Sequence, residues 1–344
     1  MAALRHISRK LYNLSFKPDS YSKTRTCAAC FRLLNYSAIE YSEEQNPAPL
    51  FFDKQVQHLL RSLTRVDLAK VNRRRKVGDT KISEPEYKFM TDEQLQQAIQ
   101  EAEKTTEELL QIPPVVAVRI PKNKVLSRDP ALQGLDESKM VFTDITFGVK
   151  DSDRLIVVRE PDGTLREAEW EMRNRINQIY FPKKERSLKP AKMFFGKYLE
   201  SLLDRKEYEF ILDRACIEFE PNEPNYQQVV SITYQHANDN NGFELLRSTR
   251  HFGAMTFFLV WNKNIDNLLL ELIETIHLNE AKELLKLFSK IHNVNFDSDT
   301  EIEMIEEYIK KYSTKKATLE LAMQAYKDLE KQRNEVQSAA HGSN

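Results

Sequence analysis

The chain has 344 residues, of which 41% are hydrophobic and 30% charged, with a formal net charge of −1 and only eight glycines. This composition favours about two domains of a helical protein with an extensive polar surface. The sequence has no GxGxxG or GxxxxGK[ST] loop and no apolar run near the roughly 18 residues of a membrane span, which excludes the commonest nucleotide-binding loops and predicts no membrane span.

The first 39 residues differ in charge from the rest of the chain. Seven of the 51 lysines and arginines lie there, against one of the 52 acidic residues, so 44 basic residues face 51 acidic ones in the remainder. The segment is rich in hydroxyl groups, and apolar residues recur at helical spacing. These features predict a mitochondrial transit peptide over residues 1–39. A disordered basic tail is the alternative.

Residues 40–138 are predicted to form a helical arm with loops. Asp53 is placed to cap the first helix. The far end of that helix is basic and includes the run Arg73, Arg74, Arg75 and Lys76. Clustered cations suit contact with RNA phosphates, and a solvated charge run on a flexible arm gives the same pattern. The sequence leaves both interpretations open.

A capping box from Thr91 to Gln94 predicts a further helix over residues 92–111 of this arm. Its exposed side is acidic, with Asp92, Glu93, Glu101, Glu103, Glu107 and Glu108. Because like charges repel, we expect this helix to meet solvent or protein rather than RNA. Beyond it, residues 115–120 predict an extended edge strand and residues 122–139 a loop.

Residues 139–182 predict a small antiparallel sheet followed by a helix, which we take as the central unit of the chain. Two β-branched runs favour strands, at residues 141–148 and 154–160. A turn signal follows, Pro161-Asp162-Gly163. Apolar residues then change to helical spacing, at Met172, Ile176 and Ile179. We expect Ile156 to lie in the core of this unit.

A second basic run follows Pro182, where the predicted helix ends. Its cations are Lys183, Lys184, Arg186 and Lys189. Pro190 indicates that the run is a loop, and a basic loop is a reasonable contact for RNA phosphate. Ordinary solubility is the alternative.

Residues 183–336 predict consecutive antiparallel helices. The series resembles an α-solenoid, but it has no fixed repeat period, so we predict an irregular, degenerate array. One long hydrophobic helix is predicted over residues 243–261, with Gly253 marking a close helix approach. Residues 337–344 are predicted to be a disordered tail. The expected fold class is mainly α with a small antiparallel β-hairpin or sheet.

No spacing in the sequence indicates catalysis or metal binding. The seven histidines form no HExxH pair, and there is no GxSxG elbow. Cys27 and Cys30 have the spacing of a metal or redox pair but no second pair, and Cys216 fits a small core residue. We therefore predict no enzyme activity, cofactor, metal site or small-molecule substrate.

Residues 247–251, Arg-Ser-Thr-Arg-His, are the last polar cluster. Arg247 and Arg250 are three residues apart and share one helix face. Together with His251, they are candidates for gripping a phosphate or a partner carboxylate. A polar face with a local ion pair, for example to Glu244, is the simpler interpretation.

Two blocks of sequence together resemble one known family. The first block comprises VFTDI at 141–145, IVVREPDGTLR at 156–166 and YFP at 180–182, and the second is LLRSTRHFG at 245–253. They closely resemble mitochondrial small-subunit ribosomal proteins of the S-twenty-two family. The similarity is strong over residues 141–255 and weaker outward to about residues 49 and 329. Cys27 and Cys30 lie outside it.

The resemblance implies a non-catalytic structural constituent of the mitochondrial small ribosomal subunit, located in the matrix. The implied partners are neighbouring mitochondrial ribosomal proteins and, locally, small-subunit rRNA. The resemblance also gives residues 247–251 more weight as a contact site. An acidic balance beyond residue 39 agrees with local contacts, since a protein that coats RNA broadly would be basic. The alternative is a free helical RNA-binding or ribosome assembly factor of the mitochondrion.

Overall fold

The computed structural model describes residues 46–73, 87–134, 137–297 and 300–341. The predicted transit segment, residues 1–39, lies outside these ranges. Within them the chain is mainly helical and has one small antiparallel sheet, which confirms the predicted fold class. Among the described residues, no helix is both long enough and apolar enough to cross a membrane.

Within the described ranges, four helices precede the sheet. They are α1 (Ala48–Phe51), α2 (Lys54–Leu63), α3 (Leu68–Val71) and α4 (Asp92–Leu109). Asp53 caps α2, because its carboxylate accepts from the backbone N–H of Gln55 at 2.8 Å. Thr91 and Gln94 form the predicted capping box on α4.

The sheet contains four strands in the order β1-β4-β3-β2, all antiparallel. They are β1 (Val125–Arg128), β2 (Met140–Thr143), β3 (Ile156–Arg159) and β4 (Thr164–Glu167). The turn before β4 is the predicted one. Gly163 has a φ of +80°, and a Cβ there would lie 2.1 Å from the carbonyl oxygen of Asp129. Glycine is therefore required both for this backbone conformation and for the close approach.

Two sequence expectations near the sheet were wrong. Residues 122–139 are not all loop, since β1 lies within them. All four of its residues are exposed, so it lacks the alternation of apolar and polar residues that identifies a half-buried strand. Residues 115–120 form no strand. They are held instead by isolated bonds, such as the one from the Arg119 N–H to the Asn222 carbonyl oxygen at 2.9 Å.

Helix α5 (Trp170–Tyr180) follows the sheet and packs against one of its faces. The buried side chains there are Ile156, Val158 and Ala168, with Val141, Met172 and Ile176 around them. Ile156 is completely buried, as expected. Ile179, the third position of the predicted stripe, is half exposed, so only two of the three stripe residues contact the sheet.

Nine helices follow in the described part of the chain. They are α6 (Gly196–Asp204), α7 (Tyr208–Glu218), α8 (Pro224–Asp239), α9 (Phe243–Leu246), α10 (Arg250–Trp261), α11 (Asp266–Glu274), α12 (Leu278–His292), α13 (Glu301–Lys311) and α14 (Lys316–His341). Helix α10 is buried along most of its length and packs against α2, α8, α9 and α12. The N-terminal helix α2 therefore shares a core with the helices after the sheet.

The structure corrects two boundaries in this array. The predicted helix over residues 243–261 is divided into α9 and α10, because Ser248 adopts a left-handed φ of +56°. Helix α14 continues through His341, into the segment predicted to be a disordered tail.

Gly253 allows a close approach, as expected, but its neighbour is not a helix. A Cβ at this position would lie 2.6 Å from Cδ1 of Ile112, in the segment that follows α4. Glycine in α10 therefore makes room for a loop side chain.

Candidate nucleic-acid and partner interface

The first basic run begins at the end of α3. Arg73 is exposed to solvent. Arg74, Arg75 and Lys76 lie outside the described residues. The role of this run in phosphate contact therefore stays a prediction.

The second basic run contains two kinds of cation. Two of its cations are bound to carboxylates of the chain, and two are not, in the part of the chain that the structure describes. Nζ of Lys183 lies 3.0 Å from a carboxylate oxygen of Asp151 and 2.7 Å from one of Glu220. Arg186 donates from Nε to the Glu218 carbonyl oxygen at 2.7 Å and from Nη1 to Glu220 at 3.0 Å. These bonds connect the segment after α5 to the corner between α7 and α8.

The electrostatics of this corner match its geometry. Burial alone would raise the pKa of Glu220, but the hydrogen bond from Lys183 and the charge of Arg186 lower that pKa below its usual value. Burial likewise works against the charge of Lys183, and its carboxylate partners nevertheless raise its pKa. Both groups are therefore ionised at neutral pH, and the pair is a structural link.

Lys184 and Lys189 are different. Both are exposed, and neither forms an ion pair with a carboxylate among the described residues. They are the two cations of the second run that stand free to meet an external phosphate.

A polar cleft of about 510 Å³ lies beside this corner. Arg119, Lys183 and Arg186 line it, with Asp151, Glu220 and Trp170 among the other lining residues. The Arg119 guanidinium stands 4.3 Å from the centre of the Trp170 ring. Since the carboxylates offset the cations within the cleft, we do not assign it to an anion.

The third cluster begins with Arg247, whose side chain is only 2% exposed. Nη1 donates to the Leu63 carbonyl oxygen at 2.7 Å and to Glu280 at 3.1 Å, and Nη2 donates to Glu271 at 3.0 Å. The guanidinium also stacks over the Phe252 ring at 4.2 Å. Its ion pairs are therefore long-range ones on α11 and α12, and the expected local pair to Glu244 is not the one that forms.

Ser248 explains why the helix is interrupted at this point. Its N–H donates to the Thr64 carbonyl oxygen at 3.0 Å, and its hydroxyl donates to the Arg65 carbonyl oxygen at 2.5 Å. The same hydroxyl accepts from the Asp67 N–H at 3.0 Å. The left-handed turn thus binds the end of α2, while Thr249 caps α10.

Arg250 and His251 converge on one carboxylate of α7. Nη2 of Arg250 lies 2.7 Å from Oδ1 of Asp213, and Nε2 of His251 lies 2.9 Å from the same oxygen. Burial would raise the pKa of Asp213, but the hydrogen bond from His251 and the charge of Arg250 lower it to about 2. Burial lowers the pKa of His251, so its imidazole is neutral at pH 7 and donates from Nε2–H.

All five residues of the 247–251 block are therefore engaged within the chain. Arg250 is about one-third exposed at its side chain, whereas Arg247 and His251 are almost completely buried. A nucleic acid or partner protein cannot reach the last two without opening the core. The simpler interpretation of this block was a polar face with a local ion pair. Its ion pairs are intramolecular, but they reach other helices, and Arg247 and His251 are buried rather than part of an exposed face.

Sequence reasoning missed the partners that hold these cations. Asp213, Glu271 and Glu280 come from three different helices. Arg65 forms a bidentate pair with Glu280, with both distances 2.8 Å. Arg65 and Glu280 are 215 residues apart. No local spacing identifies such a pair.

Taken together, the fold and these contacts define a helical scaffold protein, in which two of the three basic clusters serve mainly to join distant segments. Comparison with known proteins identifies its family. The chain belongs to the family of the mitochondrial 28S ribosomal protein S22, whose match covers residues 49–293.

Two relatives support this membership. The small ribosomal subunit protein mS22 of Mus musculus is 35% identical over 305 residues, covering 87% of this chain and 84% of the relative. The protein of the same name from Bos taurus is 36% identical over 287 residues, covering 81% of this chain and 79% of the relative.

Proposed function

We propose that this chain is a non-catalytic structural constituent of the mitochondrial small ribosomal subunit and supports mitochondrial translation in the matrix. The observation that carries the proposal is the family match along residues 49–293, which includes most of the helical core. The relatives named as small ribosomal subunit proteins extend over nearly the same length. A scaffold whose basic side chains bind its own helices suits a protein that holds position in a large assembly.

Contact with small-subunit rRNA is proposed at three exposed cations of the two basic runs, Arg73, Lys184 and Lys189. On the sequence alone, it is also proposed at Arg74, Arg75 and Lys76, which lie outside the described residues. Free cations bind phosphate by displacing counterions from the RNA, and these contacts do not depend on base sequence. Lys183, Arg186 and Arg247 are less suited, because a phosphate would have to displace carboxylates already bound to them.

Neighbouring mitochondrial ribosomal proteins are proposed to cover most of the remaining surface. Beyond residue 39 the chain carries 51 acidic residues against 44 basic ones. Broad contact with a polyanion is unfavourable for such a surface, whereas contact with basic proteins is favourable.

Gradient sedimentation of a mitochondrial lysate tests this proposal. A structural constituent should remain with small subunits and with complete ribosomes after a high-salt wash. Release by salt, or presence only on precursor particles, would instead indicate an assembly factor. Sedimentation of the chain on its own would contradict membership of the ribosome altogether.

The lysine contacts have a matched test in the same experiment. Lys184→Gln with Lys189→Gln removes two exposed charges from the second basic run. The control is Lys263→Gln with Lys286→Gln, which removes the charges of two exposed lysines on other surfaces. We expect only the first double variant to leave the small subunit at a lower salt concentration. Equal salt sensitivity of both double variants would contradict an rRNA contact at residues 184 and 189.

A further inference from the structure

Helix α4 stands out because much of its apolar side is exposed, including Leu109 near the C-terminal end, which is 53% exposed. Its apolar residues lie on one side of an α-helix, where successive residues turn by about 100°. They include Leu95, Ile99, Ala102 and Leu109. At the C-terminal end this side meets α3, where the Asn72 side chain donates to the Thr106 hydroxyl at 2.9 Å. Toward the N-terminus, no part of the chain that the structure describes buries Leu95 or Ile99.

The open part of the face is large and apolar. Leu95 is 51% exposed and Ile99 is 45% exposed. The segment that enters the helix adds three more exposed apolar side chains, those of Tyr87, Phe89 and Met90. Several exposed apolar side chains in one short stretch of a folded protein are typical of an interaction site.

A groove lies at the base of this face, between α4 and the segment that contains α3. Its volume is about 420 Å³. Val66, Leu68 and Leu110 supply apolar walls, while Arg61, Glu103 and Glu107 stand among its lining residues. The open stripe and the groove lie on the same helix, so one partner could occupy both.

The charge of α4 decides what kind of partner fits. Residues 92–109 carry six carboxylates and one lysine, Lys104. RNA and an anionic membrane surface would both be repelled by this helix. A second copy of the chain docking through the same helix would bring two acidic faces together, which is also unfavourable. A basic protein meets both requirements, because it can neutralise the carboxylates while an apolar groove covers Leu95 and Ile99.

We propose that α4, with the entering residues 87–91, is the docking helix for a basic protein neighbour that lays an apolar groove, flanked by lysines or arginines, over Leu95 and Ile99. This is the helix-in-groove mode of recognition, in which residues spaced by three and four positions act as anchors. The inference rests on the proposed function, because that neighbour is expected to be another protein of the small subunit.

Site-specific photocrosslinking in the assembled subunit tests the proposal. The full chain would carry p-benzoylphenylalanine in place of Ile99, and in a matched sample in place of Gln97, which is exposed and lies on the opposite side of α4. Small subunits purified from mitochondria would be irradiated, and the crosslinked peptides sequenced. We expect the sample with the crosslinker at position 99 to crosslink to another protein, at a peptide flanked by basic residues. The sample with the crosslinker at position 97 should lack that crosslink.

Several outcomes would overturn the docking proposal while leaving the ribosomal role intact. They are a crosslink from position 99 to rRNA, to this chain itself or to an acidic peptide, and the absence of any crosslink in subunits that contain the chain. If the unsubstituted chain is missing from purified small subunits, the proposed function fails, and the docking proposal fails with it.

A pair of charge variants gives an independent readout. Leu95→Glu with Ile99→Glu places two carboxylates on the apolar face, and Gln96→Glu with Gln97→Glu places the same charge on other exposed positions of the helix. Because Leu95 and Ile99 are exposed in the free chain, both purified variants should keep the helical circular dichroism and thermal transition of the unsubstituted protein. Only the first should be lost from small subunits, and equal retention of the two would contradict the proposal.

Discussion

The guanidinium of Arg247 joins parts of the chain that are far apart in sequence. It binds the end of α2 through the Leu63 carbonyl oxygen, and it binds α11 and α12 through Glu271 and Glu280. Arginine suits this position because its planar fork donates in several fixed directions at once, whereas a lysine ammonium is a single point charge. The sequence pattern made Arg247 a candidate contact for a phosphate or a partner, whereas its contacts in the structure join segments of the chain.

Removing this side chain should be costly. Arg247→Ala leaves the Leu63 carbonyl oxygen and the Glu271 carboxylate without this partner, while Glu280 keeps its pair with Arg65. We expect the substitution to lower the free energy of unfolding by about 3–5 kcal/mol. Arg247→Lys should recover only part of that loss. Urea denaturation of the purified protein measures both variants.

Arg250 provides the comparison. Its side chain is about one-third exposed and pairs with one carboxylate, so Arg250→Ala should cost about 1 kcal/mol or less. If Arg247→Ala were as mild as Arg250→Ala, the assigned structural role of Arg247 would be wrong.

His251 should make stability depend on pH. Burial lowers its pKa in the folded chain relative to the ordinary value of 6.5, so the unfolded chain binds the proton more readily. The stabilisation is therefore complete above about pH 6.5 and is lost as the pH falls below it. Asp213, with a pKa of about 2 against 3.8, adds a second loss between about pH 4 and 2.

Urea midpoints measured between pH 7.5 and pH 5 would detect the histidine effect. His251→Gln should reduce the pH dependence over this range. His58→Gln, which changes an exposed histidine on α2, is the matched control for removing a histidine. A pH dependence that is unaltered in His251→Gln would show that the buried imidazole is not its source.

At the scale of elements, the sheet and α5 form a unit whose core is centred on β3. Ile156 and Val158 face α5, and their neighbours Val157 and Arg159 face the other way. The alternation follows from the two-residue period of a strand. This unit is also where the turn at Gly163 fixes the pairing of β3 with β4.

Ile156→Asp tests this core directly. The substitution would place a carboxylate where the side chain is completely buried, and we expect a loss of at least about 3 kcal/mol, with poor solubility or degradation. Val157→Asp puts the same charge on the opposite, partly exposed face of β3 and should be milder. Normal folding of Ile156→Asp would place Ile156 outside a core.

Local signals made much of these elements predictable. The Asp53 cap, the Thr91–Gln94 capping box and the turn at Gly163 each depend on residues close in sequence, and each forms as expected. Strand β1 was missed because it has no buried face. The break at Ser248 was missed because its cause is a contact with Thr64 and Arg65, which no window of neighbouring residues contains.

The same limit applied to the candidate interface. The sequence identified every basic cluster, since charge is a local property. It did not separate the exposed cations from those bound inside the chain, because the deciding carboxylates of Asp213, Glu220 and Glu271 come from other helices or their ends. The resemblance of two blocks was sufficient for the family, and the fold was required to show what the second block does.

At the scale of the whole molecule, the distribution of basic and acidic residues predicts which parts of the surface contact rRNA and which contact proteins. Within the basic clusters, the exposed cations that have no carboxylate partner among the described residues are Arg73, Lys184 and Lys189, and α4 presents an acidic helix. We therefore expect rRNA at a small number of positions and proteins over most of the surface.

The most direct test of this division is crosslinking of protein to RNA in intact small subunits by ultraviolet light, followed by sequencing of the peptides attached to RNA. We expect RNA on peptides containing residues 73–76 or Lys184 and Lys189, and none on α4 or on the buried Arg247 and His251. Crosslinks confined to residues 247–251, or found along α4, would contradict the account.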